Sequence, residues 1–514
     1  MKLIRSFLSV SGFTVLSRIT GFIRETLQAH YIGVNIVSDA LGIAIKIPSL
    51  FRRIFAEGAF NVSFVPLFSQ MLAKDGQKTA MQFAQNIFSF LAIALVSLVL
   101  IVEFFLPDLI PLFFRGLTQT PERLKLTVSF AKITFPFLFF ISLTAFFSGI
   151  LNSFERFVAA ASSPAAGNLF IIGALIYLSP TLDSPGYALA WGVLGCGVVQ
   201  FLWVFVPCQI SGLFVRPQKP KITPQTRKFL KVLLPAALGS SVVQINLFLD
   251  IMIASYLKVG GISYMSYADR LSQLPLSVIG IALSTVLLPT LSKSIRTKDI
   301  QSTKDLQTVS FESAFTLSLP AMISLIFLAP FLVENLYAHG RFKVDDIIPT
   351  ANTLKALASG LPAYILIKLF STCFFANRDT RTPMIIGIIS VGLNVTLNLL
   401  LINPLAHVGL ALSTSIAAWT QAIILGVLLV RKKLFFFSSH LHTYARKVII
   451  PVLVLLVYFL FFNTYFENAV RALSPSPWLL VPAVLLMGSS LYLGCAAWVG
   501  VLRPSYFRMF LKKE

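Results

Sequence analysis

The residues of this chain best suited to chemistry are charges placed where charge is least welcome. SRITGFIRET (residues 17–26) sets Ser17, Arg18, Arg24 and Glu25 in one apolar, helix-forming run. KIPSLFRRIFAEGAF (46–60) adds Lys46, Arg52, Arg53 and Glu57 in the next. Asp39 stands early in that second run, and Asp269 and Arg270 open a later one within YADRL. An Arg at the centre of a bilayer costs roughly 2.5–3.5 kcal/mol, so four would cost on the order of 10–14 kcal/mol if independent. Snorkelling, internal pairing or a water-filled cavity that binds an anion would offset this. In the first two runs the acids Glu25, Asp39 and Glu57 face Arg18, Arg24, Lys46, Arg52 and Arg53, a surplus of two positive charges before Arg270 is added. Arg stays ionised and its planar fork suits phosphate oxygens. The expected guest of such a cavity is an anion, with a phosphate or diphosphate the natural fit.

Spacing refines this. Arg18 and Arg24 lie about 120° apart around a regular helix, with Gly21 between them, where local unwinding would bring them closer. Arg53 and Glu57 are at i,i+4 and can pair along one face, while Arg52 points about 100° away. Asp39 and Lys46 share a stripe. The plainer alternative for Arg52, Arg53 and Glu57 is an anchor at the inner membrane face; it suits Arg18 and Arg24 less well. Asp250, inside VVQINLFLDIMIAS, is a buried acid that must be protonated, paired or bound to a cation. It reads first as a hydrogen-bonding partner of a neighbouring helix. The alternative joins it with Asn246, one turn earlier, and with Asn377 and Asp379 in an oxygen-lined sodium or proton site. No catalytic constellation and no further metal site is expected: there is no GxxxxGK phosphate loop and no gathered nucleophile arrangement. The four Cys and five His are scattered without ligand spacing.

The elements that carry these residues follow from composition. Of the 514 residues, 56% are hydrophobic and only 12% charged, with 47 Phe. Soluble domains carry about 25% charged residues, so an ordinary soluble enzyme and a disordered chain are both excluded. An all-α polytopic membrane protein is expected, with fourteen apolar windows between residues 6 and 501. The N-terminus looks like a signal peptide but lacks a clear small-x-small cleavage site, and is read as a retained first helix. With the N-terminus inside, the inner loops carry 26 Lys and Arg and the outer loops 7. That asymmetry supports fourteen spans with both ends cytoplasmic, and it accounts for most of the net charge of +22 without nucleic acid. Nine basic residues remain inside the windows, and five of them (Arg18, Arg24, Lys46, Arg52, Arg53) fall in the first two.

RPQKPKITPQTRK (216–228) is the longest inner linker; its prolines discourage helix and its charges keep it wet. It divides an N-lobe, 1–215, from a C-lobe, 229–432, with 433–514 forming two added helices and a tail. The second helix ends PLFSQ after a mid-helix Pro48, and the eighth ends PTLSK after Pro275. Such echoes favour two pseudo-symmetric six-helix lobes, a duplication that transporters use.

SRITGFIRE, Ser38 to Ala40, KIPSLFRRIFAEGAF followed by FVPLFSQ, and YADRL with LLPTLSKS resemble the MurJ (MviN) family of lipid II flippases, within the multidrug/oligosaccharidyl-lipid/polysaccharide exporter superfamily. The match runs along essentially the whole chain. It implies two six-helix lobes in a V, plus two C-terminal helices forming a groove for a lipid tail. The implied cargo is lipid II, undecaprenyl-diphosphate disaccharide-pentapeptide, moved from the cytoplasmic to the periplasmic leaflet of a bacterial inner membrane by alternating access. The family's cavity arginines fall on Arg18, Arg24, Arg52 and Arg270. Ser17, Asp39, Arg53, Glu57 and Asp269 match further positions important in the family, and Glu25 stands where many relatives have Asp. Some members bind sodium, which makes Asp250 a candidate ligand and Na⁺ or H⁺ coupling an expectation; no other cofactor is implied. Expected partners are lipid II and membrane lipid, with cell-wall synthesis machinery a further one; a monomer is expected. Rival readings are a flippase for another polyprenyl-diphosphate oligosaccharide, a cation-coupled drug exporter (which would favour an acidic cavity), and a membrane glycosyltransferase or polymerase.

Overall fold

The computed structural model describes residues 2–53, 58, 60–297, 299–435, 440–466 and 477–502. The described residues are almost all helical and contain no strand. Nine helices among the described residues are long and apolar enough to cross a membrane, as expected of a polytopic membrane protein. Two of these runs carry a non-helical residue inside: Gly76 (φ 81°, ψ 170°) within Asn61–Phe113, and Ala406 (φ 49°, ψ −129°) within Arg381–Arg431. Gly76 adopts a conformation that side chains with a Cβ avoid, so the chain turns there between two apolar stretches.

The chain forms two compact units. The first comprises Met1–Ser263 with His339–Phe342. Its helices are α1 (Lys2–Tyr31), α2 (Ile36–Phe51), α3 (Asn61–Phe113), α4 (Pro121–Thr134), α5 (Phe137–Ser153), α6 (Phe157–Leu178), α7 (Pro185–Ile210) and α8 (Pro224–Ala254). α1 lies along α6, α6 along α7, α5 along α7 and α2 along α4. The abundant Phe gather in this unit's core: Phe60, Phe64, Phe68, Phe83, Phe146, Phe147 and Phe229 are all buried together. Phe64 stacks at 5.0 Å on Phe60 and meets Phe146 at 5.1 Å. Aromatic pairs at such spacing add about 0.5–1.5 kcal/mol each beyond area burial. Phe229, from α8, lies 5.8 Å from Phe60, and so roots α8 in this core.

The second unit comprises Tyr264–Ala338 with Lys343–Glu514. It takes up most of α9 (Gly261–Arg296), then α10 (Ile300–Phe327), α11 (Ala329–Tyr337), α12 (Ile347–Ala358), α13 (Leu361–Ala376), α14 (Arg381–Arg431), α15 (His440–Phe461) and α16 (Pro477–Trp498). α10 packs on α13 and α15, and α15 on α16. Tyr444 ties α15 to α10: its hydroxyl donates to the Glu312 carbonyl (2.9 Å) and bonds to the Thr316 hydroxyl (2.8 Å).

The stretch 216–228 is non-helical as far as Thr223, the end of the linker between α7 and α8, and α8 begins within it at Pro224. Its charged side chains are exposed, Leu213 and Val215 just before it and Thr226 within it are buried, and its backbone is pinned to α3. The Asn86 side chain accepts from the Lys221 amide (2.7 Å), and donates to the Lys221 carbonyl (2.7 Å) and to Thr226 Oγ1 (2.9 Å). Ser89 Oγ accepts from the Gln218 amide at 2.9 Å. Proline blocks helix here, but an extended strap with its own partners satisfies the backbone equally well.

Candidate functional site

α1 remains helical through Gly21, so Arg18 and Arg24 keep the angular separation of a regular helix. Gly21 serves α1 differently. A Cβ on it would lie 3.3 Å from Asn168 Nδ2 of α6, so the missing side chain lets the Asn168 amide reach across. Asn168 Nδ2 donates to the Ser17 carbonyl (3.1 Å), and Asn168 Oδ1 accepts from Arg24 Nη1 (3.0 Å). The other arm of Arg24 pairs with Glu25, which is buried. Arg24 is thus held by one amide and one carboxylate, while its side chain keeps 20% exposure. Arg18, on the same helix, is exposed and Ser17 half-buried. Asn168 escaped sequence reading because a lone Asn in an apolar run has no spacing signal; its register opposite Gly21 emerges only from packing.

Arg52 is half-buried and Arg53 exposed at the end of α2. Lys46 is half-buried midway along α2. Glu57, the expected partner of Arg53, lies outside the described residues. Asp269 and Arg270 are exposed near the start of α9, in the second unit. Asp269 accepts from Gln273 one turn on.

Asp39 is fully enclosed, with 0% exposure. Asn35 caps α2 by accepting from the Val37 and Ser38 amides, and Ser38 returns a bond to the Asn35 amide, which fixes the first turn around Asp39. Asp39 Oδ2 accepts from the Gly260 amide (2.7 Å); Oδ1 accepts from the Ser263 amide (2.9 Å) and hydroxyl (2.6 Å). Arg123 of α4, only 2% exposed, sets Nη2 3.3 Å from Oδ2 and donates from Nη1 to the Leu257 carbonyl (3.0 Å). Ser38 Oγ and Ser263 Oγ are 2.7 Å apart. The turn 255–263 is thereby clasped to the starts of α2 and α4. A second clasp lies at the end of α1: the Arg341 amide donates to the His30 carbonyl at 2.9 Å. Gly33 and Gly340 have positive φ, and a Cβ on Gly33 would strike the Arg341 carbonyl at 2.2 Å. Arg123 was counted from sequence as a loop cation; its burial follows from a partner that neither charge pattern nor periodicity identifies.

Asn246 Nδ2 donates to Asp250 Oδ2 at 3.3 Å, one turn on along α8, and Asn246 Oδ1 is a buried oxygen without a hydrogen-bond donor among the described residues. Two oxygen-bearing side chains here fit one side of a cation site. Asn377 and Asp379 belong to the second unit. Asn377 donates to the Cys373 carbonyl (2.8 Å), closing α13. Asp379 caps α14 through the Thr382 amide (2.9 Å) and accepts from Lys432 Nζ (2.8 Å). These bonds hold its carboxyl down at about 2, well below the usual range.

Comparison with known proteins gives one answer. The family model for lipid II flippase MurJ matches residues 28–476. A probable lipid II flippase MurJ of Rhizobium meliloti (strain 1021) is 40% identical over 434 residues, covering 84% of this chain and 81% of the relative. The lipid II flippase MurJ of Burkholderia cenocepacia is 32% identical over 519 residues, covering 99% of both. A solved lipid II flippase MurJ in an inward closed conformation superposes with TM-score 0.77 and 28% identity, covering 98% of this chain and 99% of that one. An inward-facing multidrug resistance MATE family transporter of the MOP superfamily shares the fold, with TM-score 0.68 and 16% identity over 83% of this chain and 98% of its own.

Proposed function

The chain belongs to the lipid II flippase MurJ family, and from that premise we propose that it carries lipid II from the cytoplasmic to the periplasmic leaflet of a bacterial inner membrane by alternating access. The observation that carries this reading is Arg24: a guanidinium on α1 held by Glu25 and Asn168 yet still partly open, on the same helix as exposed Arg18. Stabilisers that orient an Arg without enclosing it suit a guest anion better than a structural ion pair, which would be sealed as Asp39–Arg123 is. Arg18, Arg24, Arg52 and Arg270 are the proposed diphosphate contacts, with Ser17, Glu25, Arg53, Glu57 and Asp269 supporting them; Asp39, sealed against Arg123, Gly260 and Ser263, holds the clasp instead.

In this proposal fourteen spans place both termini in the cytoplasm, and the starts of α2 and α4 face the periplasm. The clasps at 255–263 and 339–342, both within the first unit, then lie at its periplasmic end. Diphosphate neutralises the surplus positive charge, which lowers the work of closing protein around it. The sugar-peptide head travels in the wet path while the prenyl tail stays in lipid. A bound anion changes the charge carried across the membrane potential, worth about 2.3 kcal/mol per charge per 100 mV. Asn246 and Asp250 are the residues that would receive a coupling Na⁺ or H⁺.

The test is rescue of a bacterium depleted of its lipid II flippase, read as labelling of the lipid II headgroup from outside the cell. Labelling restored by this chain supports the proposal. Growth without labelling, or rescue only of a strain lacking an O-antigen flippase, would assign it a different cargo.

A further inference from the structure

A groove of about 560 Å³ opens at the start of α8, lined by Ile222, Pro224, Arg227, Lys228 and Lys231. That volume falls within the range of small-molecule sites. Its charge is unusual even for this chain. Six basic residues, Arg216, Lys219, Lys221, Arg227, Lys228 and Lys231, occur with no Asp or Glu anywhere between Asp183 and Asp250. Three of them occupy the first turns of α8, where the helix dipole disfavours cations and where the first turn holds no acid. No intramolecular pairing within this stretch can relieve the repulsion.

The support beneath the groove is built. Asn86, 4% exposed, grips Lys221 by both its amide and its carbonyl, and also bonds Thr226. Thr223 Oγ1 accepts from the Thr226 amide and caps the helix, and Phe229 inserts into the aromatic core. The cations are therefore displayed from a fixed backbone. Just beyond them the same helix face turns apolar: Arg227, Leu230, Lys231 and Leu234 fall on one stripe by helical spacing, and Leu230 and Leu234 are exposed. Ile222 gives the groove a further exposed apolar edge.

We propose that this groove binds the phosphate headgroup of an anionic glycerophospholipid of the leaflet it faces, with acyl chains running along Leu230 and Leu234. Charge complementarity selects an anion, and the apolar stripe selects one that carries hydrocarbon. On the proposed topology that leaflet is the cytoplasmic one, and the bound lipid would hold the start of α8 and its strap against the membrane. The site lies apart from Arg18, Arg24 and Arg52 in sequence and element, and its occupancy does not depend on which cargo is moved.

The experiment uses the purified full chain in detergent and reads the thermal unfolding midpoint as lipid is added. Three probes are compared: dioleoylphosphatidylglycerol, dioleoylphosphatidylcholine and undecaprenyl diphosphate. Phosphatidylglycerol should stabilise the protein and phosphatidylcholine should not. In Arg227→Gln/Lys228→Gln/Lys231→Gln the phosphatidylglycerol needed for half the effect should rise on the order of a hundredfold, about fivefold for each cation beside anionic lipid. The charge-keeping variant Arg227→Lys/Lys228→Arg/Lys231→Arg should respond as the parent does, and the response to undecaprenyl diphosphate should survive in both. An unchanged phosphatidylglycerol response in the glutamine variant would overturn the proposal. So would equal stabilisation by phosphatidylcholine, or loss of the undecaprenyl diphosphate response alone, which would make the groove a cargo site.

Discussion

Asp39 and Arg123 meet at 3.3 Å between the first turns of α2 and α4, both enclosed, with the carboxylate also accepting bonds from Gly260 and Ser263. Taking one partner from a buried pair leaves an uncompensated charge and costs about 3–5 kcal/mol. Asp39→Ala and Arg123→Ala should each lower the unfolding midpoint of the purified protein sharply. The double variant should be less destabilised than the sum of the two. Additive losses would mean that the two groups do not stabilise one another.

The Ser38 and Ser263 hydroxyls, 2.7 Å apart, give a handle on the same clasp. Ser38→Cys/Ser263→Cys should form a disulfide on oxidation and raise the unfolding midpoint of the purified protein, and reduction should reverse the gain. An unchanged midpoint with the cross-link verified by gel shift would show that this clasp does not limit the stability of the first unit.

The α1–α6 contact makes a graded prediction. Gly21→Val would drive its side chain into Asn168, whose amide stands 3.3 Å from even a Cβ at that position. Asn168→Leu would take the acceptor from Arg24. Both should weaken complementation at normal protein level, and Gly21→Ala should be milder because the neighbour need give only a few tenths of an ångström. Equal growth of Gly21→Val and the parent would show that the orientation of Arg24 is unimportant.

How much of this was legible in the sequence differs by residue. Apolar windows and the Arg-rich first two helices follow from hydropathy and composition, because desolvation of a charge is a large local signal. The pairing of Arg24 with Glu25 was not legible, since consecutive residues on a helix point about 100° apart and spacing does not suggest their contact. Arg123 was not, since a loop cation and a buried one look alike until the chain is folded. Nor was the role of Gly21, which depends on what α6 places opposite it, or the pinning of the 216–228 strap by Asn86 and Ser89, two of several polar residues along α3. Long-range partners of isolated polar residues carry no period, and period is what a lone sequence offers.

Asp379 predicts a pH dependence. Its carboxyl is held down to about 2 chiefly by the hydrogen bond from Lys432, then by those from Thr382. A depressed pKa contributes stability that is present above the unfolded value near 4 and is lost as pH falls through about 2. The unfolding midpoint should therefore drop over that interval, and Asp379→Asn should flatten the drop. The same slope in variant and parent would place the acid sensitivity elsewhere.

The most direct measurement is lipid II headgroup labelling from outside a flippase-depleted bacterium that expresses this chain or its Arg24→Ala and Arg270→Ala variants at matched levels. The parent should restore labelling and growth, and each variant should abolish both while remaining folded and in the membrane. Full labelling by both variants would contradict a diphosphate held by guanidinium groups.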